Sequence, residues 1–239
     1  MRWLLICLLL ASCATAGKGN SIIGGLTDAG PGDGGDIPGP DASSIDAPAN
    51  QVTLTQTTSD TITIGNSFVC FSGATGFTRQ NSYYRVFAPG DHGVTTTLHV
   101  FQVVFGIELA TAGSGGKQPA QVKLGTYAVT PQGTTLDPTQ VRPLSSVDIQ
   151  VRDGTGTQMV VPITGDVPPN TNLIVELMVP DGLADGNVFV IGSNALGERK
   201  PGYTSEPDCG LADPTTMQSV APGSPPGEVD IILTATGTD

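Results

Sequence analysis

The chain reads as an all-β protein, an antiparallel two-sheet sandwich of jelly-roll type that follows a cleaved leader and a disordered tether. Three observations predict this. Apolar and polar residues alternate with a period of two through much of the segment 51–239, the pattern of half-buried antiparallel strands. Gly, Pro, Asn and Asp turn signals break that pattern at short intervals. A 3.6-residue helical period is hard to find anywhere after the leader.

In chain order, strands are expected over 51–57, 61–64, 67–71, 83–87, 99–108, 121–129, 147–151, 158–163, 173–179, 187–191 and 229–236. The segment 99–108 is the clearest: Phe101, Val103, Phe105 and Ile107 share one face, with Gln102, Val104 and Glu108 opposite. In 173–179, Leu173, Val175, Leu177 and Val179 face a core and Glu176 faces away. Val147, Ile149 and Val151 alternate with Asp148 and Gln150 in the same way. Turns fall at Pro89-Gly90-Asp91, Asp153-Gly154, Pro168-Pro169-Asn170, Asp181-Gly182 and Asp185-Gly186. The Pro-rich, weakly patterned stretch 194–226 is expected to be an ordered surface loop pinned near its middle by Cys209, since a loop of that length needs pinning. The segment 51–239 is long enough for one sizeable core.

Residues 1–12 have the form of a signal peptide: Arg2, an apolar run from Trp3 to Leu10, then the small residues Ala11 and Ser12. The run is too short to span a bilayer. Leu10-Ala11-Ser12-Cys13 resembles the lipobox of bacterial lipoproteins. The resemblance implies a diacylglyceryl group on the Cys13 thiol, cleavage just before it and acylation of the new amine. The membrane is then a partner through a lipid anchor, because two or more acyl chains hold stably where one does not. Ala14 stands where an aspartate would mark retention at the inner membrane, so the resemblance leans towards the outer membrane of the cell envelope.

Residues 13–50 are rich in Gly, Pro, Ser and Asp and contain no aromatic residue. Such a stretch cannot bury enough apolar surface to offset its ordering entropy, and as a flexible chain it would reach roughly 30–35 Å. Asp33-Gly34-Gly35-Asp36 carries the composition of a calcium loop in one ragged copy, without the repeats that such loops need.

Of the four cysteines, Cys7 leaves with the leader and Cys13 takes lipid, leaving Cys70 and Cys209. Two leftover cysteines in an oxidising compartment pair as a disulfide. A metal reading lacks partners: there is no Cys-x-x-Cys, and His92 and His99 are remote in sequence from both.

The net charge is −12 over the chain, and 17 acidic against 8 basic residues leave about −9 in 51–239. Nucleic acid is therefore excluded as a partner. The chain lacks a Gly-x-Ser-x-Gly elbow, a His-Glu-x-x-His zinc motif, a phosphate loop and a dinucleotide fingerprint, and no enzymatic activity is expected. Asp91-His92 lies in a turn without a nucleophile. Glu108 and Glu176 would act as a glycosidase pair only if held ~5–10 Å apart in a cleft. The one tryptophan, Trp3, is lost with the leader, so Tyr83, Tyr84 and Tyr203 are the candidate ligand platforms. Adjacent strand residues point to opposite faces, which puts at least one of Tyr83 and Tyr84 in the core. No cofactor is expected; calcium at Asp181, Asp185 and Asp208 is the one cation site that the acidic loops suggest.

Asn81-Ser82-Tyr83-Tyr84-Arg85-Val86-Phe87, Val104 to Glu108, Ile191 to Asn194 and Asp208-Cys209-Gly210 together resemble a module of secreted and surface proteins of environmental bacteria. In that module a cysteine precedes the Asn-Ser-Tyr-Tyr/Trp-Arg string, as Cys70 does, and a late Cys-Gly precedes an Asp/Glu-Pro-Thr string, as Asp213-Pro214-Thr215 follows here. The resemblance implies a disulfide-bonded β-sandwich in an adhesion or carbohydrate-associated setting. It leaves Asn81, Arg85 and Glu108 open to a structural or a functional role. The expected function is a surface lipoprotein displaying a non-catalytic binding module, its partner an extracellular polysaccharide or an envelope protein.

Overall fold

The computed structural model describes residues 50–220 and 229–239. The leader, Cys13 and the tether up to residue 49 lie outside them.

Five strands make one sheet. β1 (Gln51–Leu54), β13 (Leu233–Thr238), β3 (Leu98–Thr111) and β6 (Gly154–Val167) lie in that order, and β8 (Val188–Ile191) also pairs with β3. Six strands make the second: β11 (Leu211–Thr216), β10 (Tyr203–Glu206), β2 (Asn81–Phe87), β7 (Asn172–Val179), β4 (Lys117–Tyr127) and β5 (Val141–Arg152). A short pair joins β9 (Ser193–Asn194) to β12 (Asp230–Ile231), and every strand pairing among the described residues is antiparallel. The two sheets pack on each other as a sandwich around one core, to which Leu54, Val103 and Phe105 contribute from the first and Tyr83, Val122 and Leu177 from the second.

Alternation places the core as expected in β7, where Leu173, Val175, Leu177 and Val179 are buried. In β3 it holds for Val103, Phe105 and Ile107 but not for Phe101, which is half-buried. A register shift between Val100 and Gln102 resets the phase, so Leu98 and Val100 face inward ahead of it. A second shift between Ile107 and Leu109, opposite β8, leaves Glu108 buried as well. One flank of β3 serves two partners in succession, β13 along His99–Phe105 and β8 from Ile107 onward. At the join Gly192 donates to Gly106 O (2.8 Å) and Ile232 donates to Gly192 O (2.9 Å). A Cβ on Gly192 would stand 2.8 Å from the Gly106 carbonyl carbon, so only glycine permits this approach.

Two expected strands, 61–64 and 67–71, are absent. That stretch runs alongside β8 and β9, tied by Thr63 N to Ser193 O (2.8 Å) and by Ser67 Oγ to Ile191 O. It is broken by Gly65 at φ 81° and leaves Ile64 exposed. Isolated backbone ties replace a ladder there, which no hydropathy pattern can announce.

The stretch expected as a surface loop, 194–226, instead contains β10, buried along its whole length, and β11. β10 reads Tyr-Thr-Ser-Glu, and its polar side chains are satisfied internally: Thr204 Oγ1 donates to Glu206 (3.1 Å) and Ser205 Oγ to Ala212 O (2.9 Å). Buried polar residues with partners cost little but hide a strand from a hydrophobicity reading. Among the described residues no helix is long and apolar enough to cross a membrane.

Candidate functional site

The site is built on the outer face of the six-stranded sheet. β2 alternates strictly: Tyr83, Arg85 and Phe87 are buried on the inner side, while Ser82, Tyr84 and Val86 face out. The registers align an outer row across five strands, Tyr203 (β10), Tyr84 (β2), Glu176 (β7), Lys123 (β4) and Ser146 (β5). Three side chains converge on Glu176 Oε1: Ser82 Oγ donates at 3.0 Å, Lys123 Nζ at 3.1 Å and the Tyr84 hydroxyl at 3.4 Å.

Tyr84, Glu176, Lys123 and Ser146 of this row floor a groove of about 610 Å³, within the usual size of a small-molecule site. Val141, Pro143 and Leu144 of β5 form one wall, and Leu136, Pro138, Ala212 and Pro214 the other. The second wall is sewn together. Leu136 N donates to Pro214 O (2.8 Å), Thr216 N to Thr134 O (2.7 Å) and Asp137 N to the Tyr127 hydroxyl (2.9 Å). Asp137 then caps the Pro138–Gln140 turn through Thr139 N (2.9 Å). Gly125 lowers the floor, since a Cβ there would meet Arg142 O at 3.0 Å and Ile174 Cγ2 and Val141 Cγ1 at 3.1 Å.

The Lys123–Glu176 pair leaves the floor without net charge. Burial, reinforced by Glu176, pushes the Tyr84 phenol well above its ordinary value, so Tyr84 stays a hydroxyl donor at any physiological pH.

Of the three candidate tyrosines only Tyr84 reaches the groove. Tyr83 is fully buried in the main core, its hydroxyl on Phe68 O at 3.3 Å. Tyr203 is buried beside Val86, Tyr127 and Leu136 under the outer face, its phenol pushed up to about 12 mainly by that burial. Neither presents a ring to a ligand in the groove.

The remaining motif residues form the frame. Asn81 clamps the backbone of Cys70 both ways: Cys70 N donates to Asn81 Oδ1 (2.9 Å), and Asn81 Nδ2 donates to Cys70 O (3.2 Å) and Arg79 O (2.8 Å). Cys70 is disulfide-bonded to Cys209 with Cα atoms 5.9 Å apart. Arg85, completely buried, bonds Glu198 (2.9 Å), Asp230, Lys200 O (2.6 Å) and Ile231 O (2.8 Å). Asp230 in turn accepts from Asn194 Nδ2 (3.0 Å) and Thr58 N (3.3 Å). Glu108 accepts from Gly65 N (2.8 Å) on β3, in the sheet opposite Glu176, and no bond or ion pair joins the two. Asp91 binds Lys200 rather than orienting His92. Asp181 and Asp208 close on Arg79 at 3.4 and 3.1 Å, without Asp185. Cys13 lies outside the described residues.

Gln121, Lys123, Leu136, Pro138 and Pro214 are groove residues that sequence reasoning missed. Alternation within β4 marks Gln121 and Lys123 as outward. Their meeting with Tyr84 and Glu176 depends on strand order, which a single sequence does not encode. No protein-family model matches the chain, and a search of curated proteins finds no match.

Proposed function

We propose that this chain is a lipid-anchored lipoprotein of the bacterial envelope, on the outer membrane, that displays a non-catalytic binding module. The groove above Tyr84, Glu176 and Lys123 holds its ligand, an uncharged polyhydroxylated chain of the extracellular polysaccharide type. The observation that carries this reading is the cross-strand row in register on the groove floor.

The row offers what a sugar needs. The Tyr84 ring supplies an aromatic surface, the charge-neutral Lys123–Glu176 pair supplies donor and acceptor together, and Gln121 and Ser146 extend the polar lining. Polar floor groups without net charge, set between largely apolar walls, favour hydroxyls over phosphate or carboxylate ligands. The lipobox-like Leu10-Ala11-Ser12-Cys13 and the tether behind it support display from a membrane surface.

The test is the melting temperature of the full chain against a panel of soluble neutral and acidic polysaccharides. A ligand at 100 times its Kd stabilises by about 2.7 kcal/mol, roughly 5–10 °C for a domain of this size. A rise with a neutral polysaccharide that Tyr84→Ala abolishes is the expected result. No shift with any polysaccharide, or an equal shift in the Tyr84→Ala variant, overturns the assignment of the groove.

A further inference from the structure

Beside the disulfide, away from the groove, stands a carboxyl group that the frame does not require. Cys70 is 2% exposed and Glu206 4%, whereas Cys209 lies at the surface at the end of the Pro207–Cys209 turn. Both sulfurs and a Glu206 carboxylate oxygen lie within 4.8 Å of one another. Glu206 makes no ion pair among the described residues, and its side chain is held by one hydrogen bond, from Thr204 Oγ1. The titratable groups around it are few. From β2 comes the Tyr83 phenol, which also feels Glu108 of β3, and at the surface Arg79 pairs with both Asp208 and Asp181, a cluster that keeps a net negative charge.

We propose that Cys70–Cys209 is an exchangeable redox site, opened by an external dithiol at the Cys209 sulfur, with Glu206 as the proton donor to Cys70. Thiol–disulfide exchange proceeds by attack of a thiolate on one sulfur while the other leaves. Only Cys209 is open to attack, so the leaving group is Cys70, and a thiolate formed at that buried position would be poorly solvated. Glu206 removes this difficulty by supplying a proton.

In the first step the dithiol's thiolate bonds to Cys209 Sγ, the Cys70–Cys209 bond breaks, and its electron pair goes to Cys70 Sγ, which takes the Glu206 proton. In the second, the reductant's remaining thiol gives its proton to the Glu206 carboxylate and attacks its own mixed-disulfide sulfur. Cys209 leaves as a thiolate and is protonated by solvent. The dithiol ends as a cyclic disulfide and the protein as two thiols. Burial raises the proton affinity of Glu206, opposed by the Thr204 bond, a direction that favours the acid form.

The test is the rate of reduction of the folded full chain by dithiothreitol, followed by alkylation and peptide mass spectrometry of Cys70 and Cys209. Rates are divided by dithiothreitol thiolate concentration across roughly pH 5 to 9. The wild-type value falls as Glu206 ionises. Glu206→Gln slows it about tenfold or more on the acid side, a modest general-acid effect, and flattens the profile. Thr204→Val moves the wild-type fall to higher pH, because the bond that favours the carboxylate is gone. A folded Glu206→Gln chain with the wild-type rate and profile overturns the proposal. So does a rate independent of dithiothreitol concentration, which would mean that the bond opens only on global unfolding. Should Glu206→Gln fail to fold, an unshifted Thr204→Val profile overturns it.

Discussion

Arg85 Nη2 and Asp230 Oδ1 are bonded inside the sandwich with both side chains completely shut off from solvent. The arginine projects from β2 on the side of Tyr83 and Phe87, and the aspartate arrives on β12, almost the last strand of the chain. Glu198 completes the set, its carboxyl pKa raised by burial although Arg85 opposes the shift. Arg79 also holds two acids, but at the surface; loss of the buried Arg85 would strand two carboxylates away from solvent.

Removing one member of a buried pair costs about 3–5 kcal/mol. Arg85→Met is therefore expected to lower the unfolding free energy by that amount in urea melts. Arg85→Met/Asp230→Leu should recover part of the loss, because the stranded carboxylate goes with it. A loss in the double variant equal to the sum of the losses from Arg85→Met and Asp230→Leu alone would rule out coupling between the two.

Asn81 both accepts from and donates to the Cys70 backbone. Asn81→Asp keeps the acceptor but loses both donated bonds: the Cys70 carbonyl retains Arg79 N (2.9 Å), whereas the Arg79 carbonyl loses its Asn81 partner, at about 1–3 kcal/mol. The expectation is that this near-isosteric change destabilises as much as Asn81→Ala in thermal melts with the disulfide intact. A harmless Asn81→Asp would mean that the donor side of the clamp is unimportant.

Burial raises the folded-state pKa of Glu206 above that of an unfolded glutamate. The stability contributed by its protonated form is complete below the unfolded value and is lost as pH rises through the folded one. Glu206→Gln, which mimics the protonated form, should melt with wild type near pH 4 and above it at pH 8. The reverse order would mean that the carboxylate is the favoured form.

On the groove floor, Lys123→Met removes a half-exposed ion pair worth about 0–1 kcal/mol. Stability should barely change, while calorimetry with the neutral polysaccharide that raises the wild-type melting point shows weaker binding. Gly125→Ala crowds Arg142 O, Ile174 and Val141 and should cost about 1–3 kcal/mol as well as binding. Unchanged affinity in both variants would move the ligand elsewhere.

Replacing Cys70 and Cys209 by serine opens a link across 139 residues. On the chain-entropy view this costs up to about 5 kcal/mol, to be read from urea midpoints. A loss below about 1 kcal/mol would put the disulfide outside the stability of the folded core.

The β class was legible because period-two alternation is a local consequence of a half-buried sheet, as Leu173 to Val179 illustrate. It failed at Phe101, where a bulge resets the phase, and at Tyr203–Glu206, whose buried polar side chains satisfy one another. Glu176 was visible as an outward residue, alternation put at least one of Tyr83 and Tyr84 in the core without saying which, and the pairing of Cys70 with Cys209 followed from elimination. The groove was not legible, because Lys123, Glu176 and Tyr84 become neighbours only through the β4–β7–β2 order, which arises from long-range packing.

β13, the final strand, sits between β1 and β3, and Gln51 lies opposite Thr238. A chain that emerges amino end first from a ribosome or a translocation channel therefore cannot complete its five-stranded sheet until Leu233–Thr238 is free. Every earlier length lacks an interior strand and exposes a row of unpaired backbone groups on β3. Closure then waits on contacts spanning nearly the whole domain, a slow step for a β topology. Emergence of β13 is thus the event that closes the five-stranded sheet, however much of the six-stranded sheet has assembled before it.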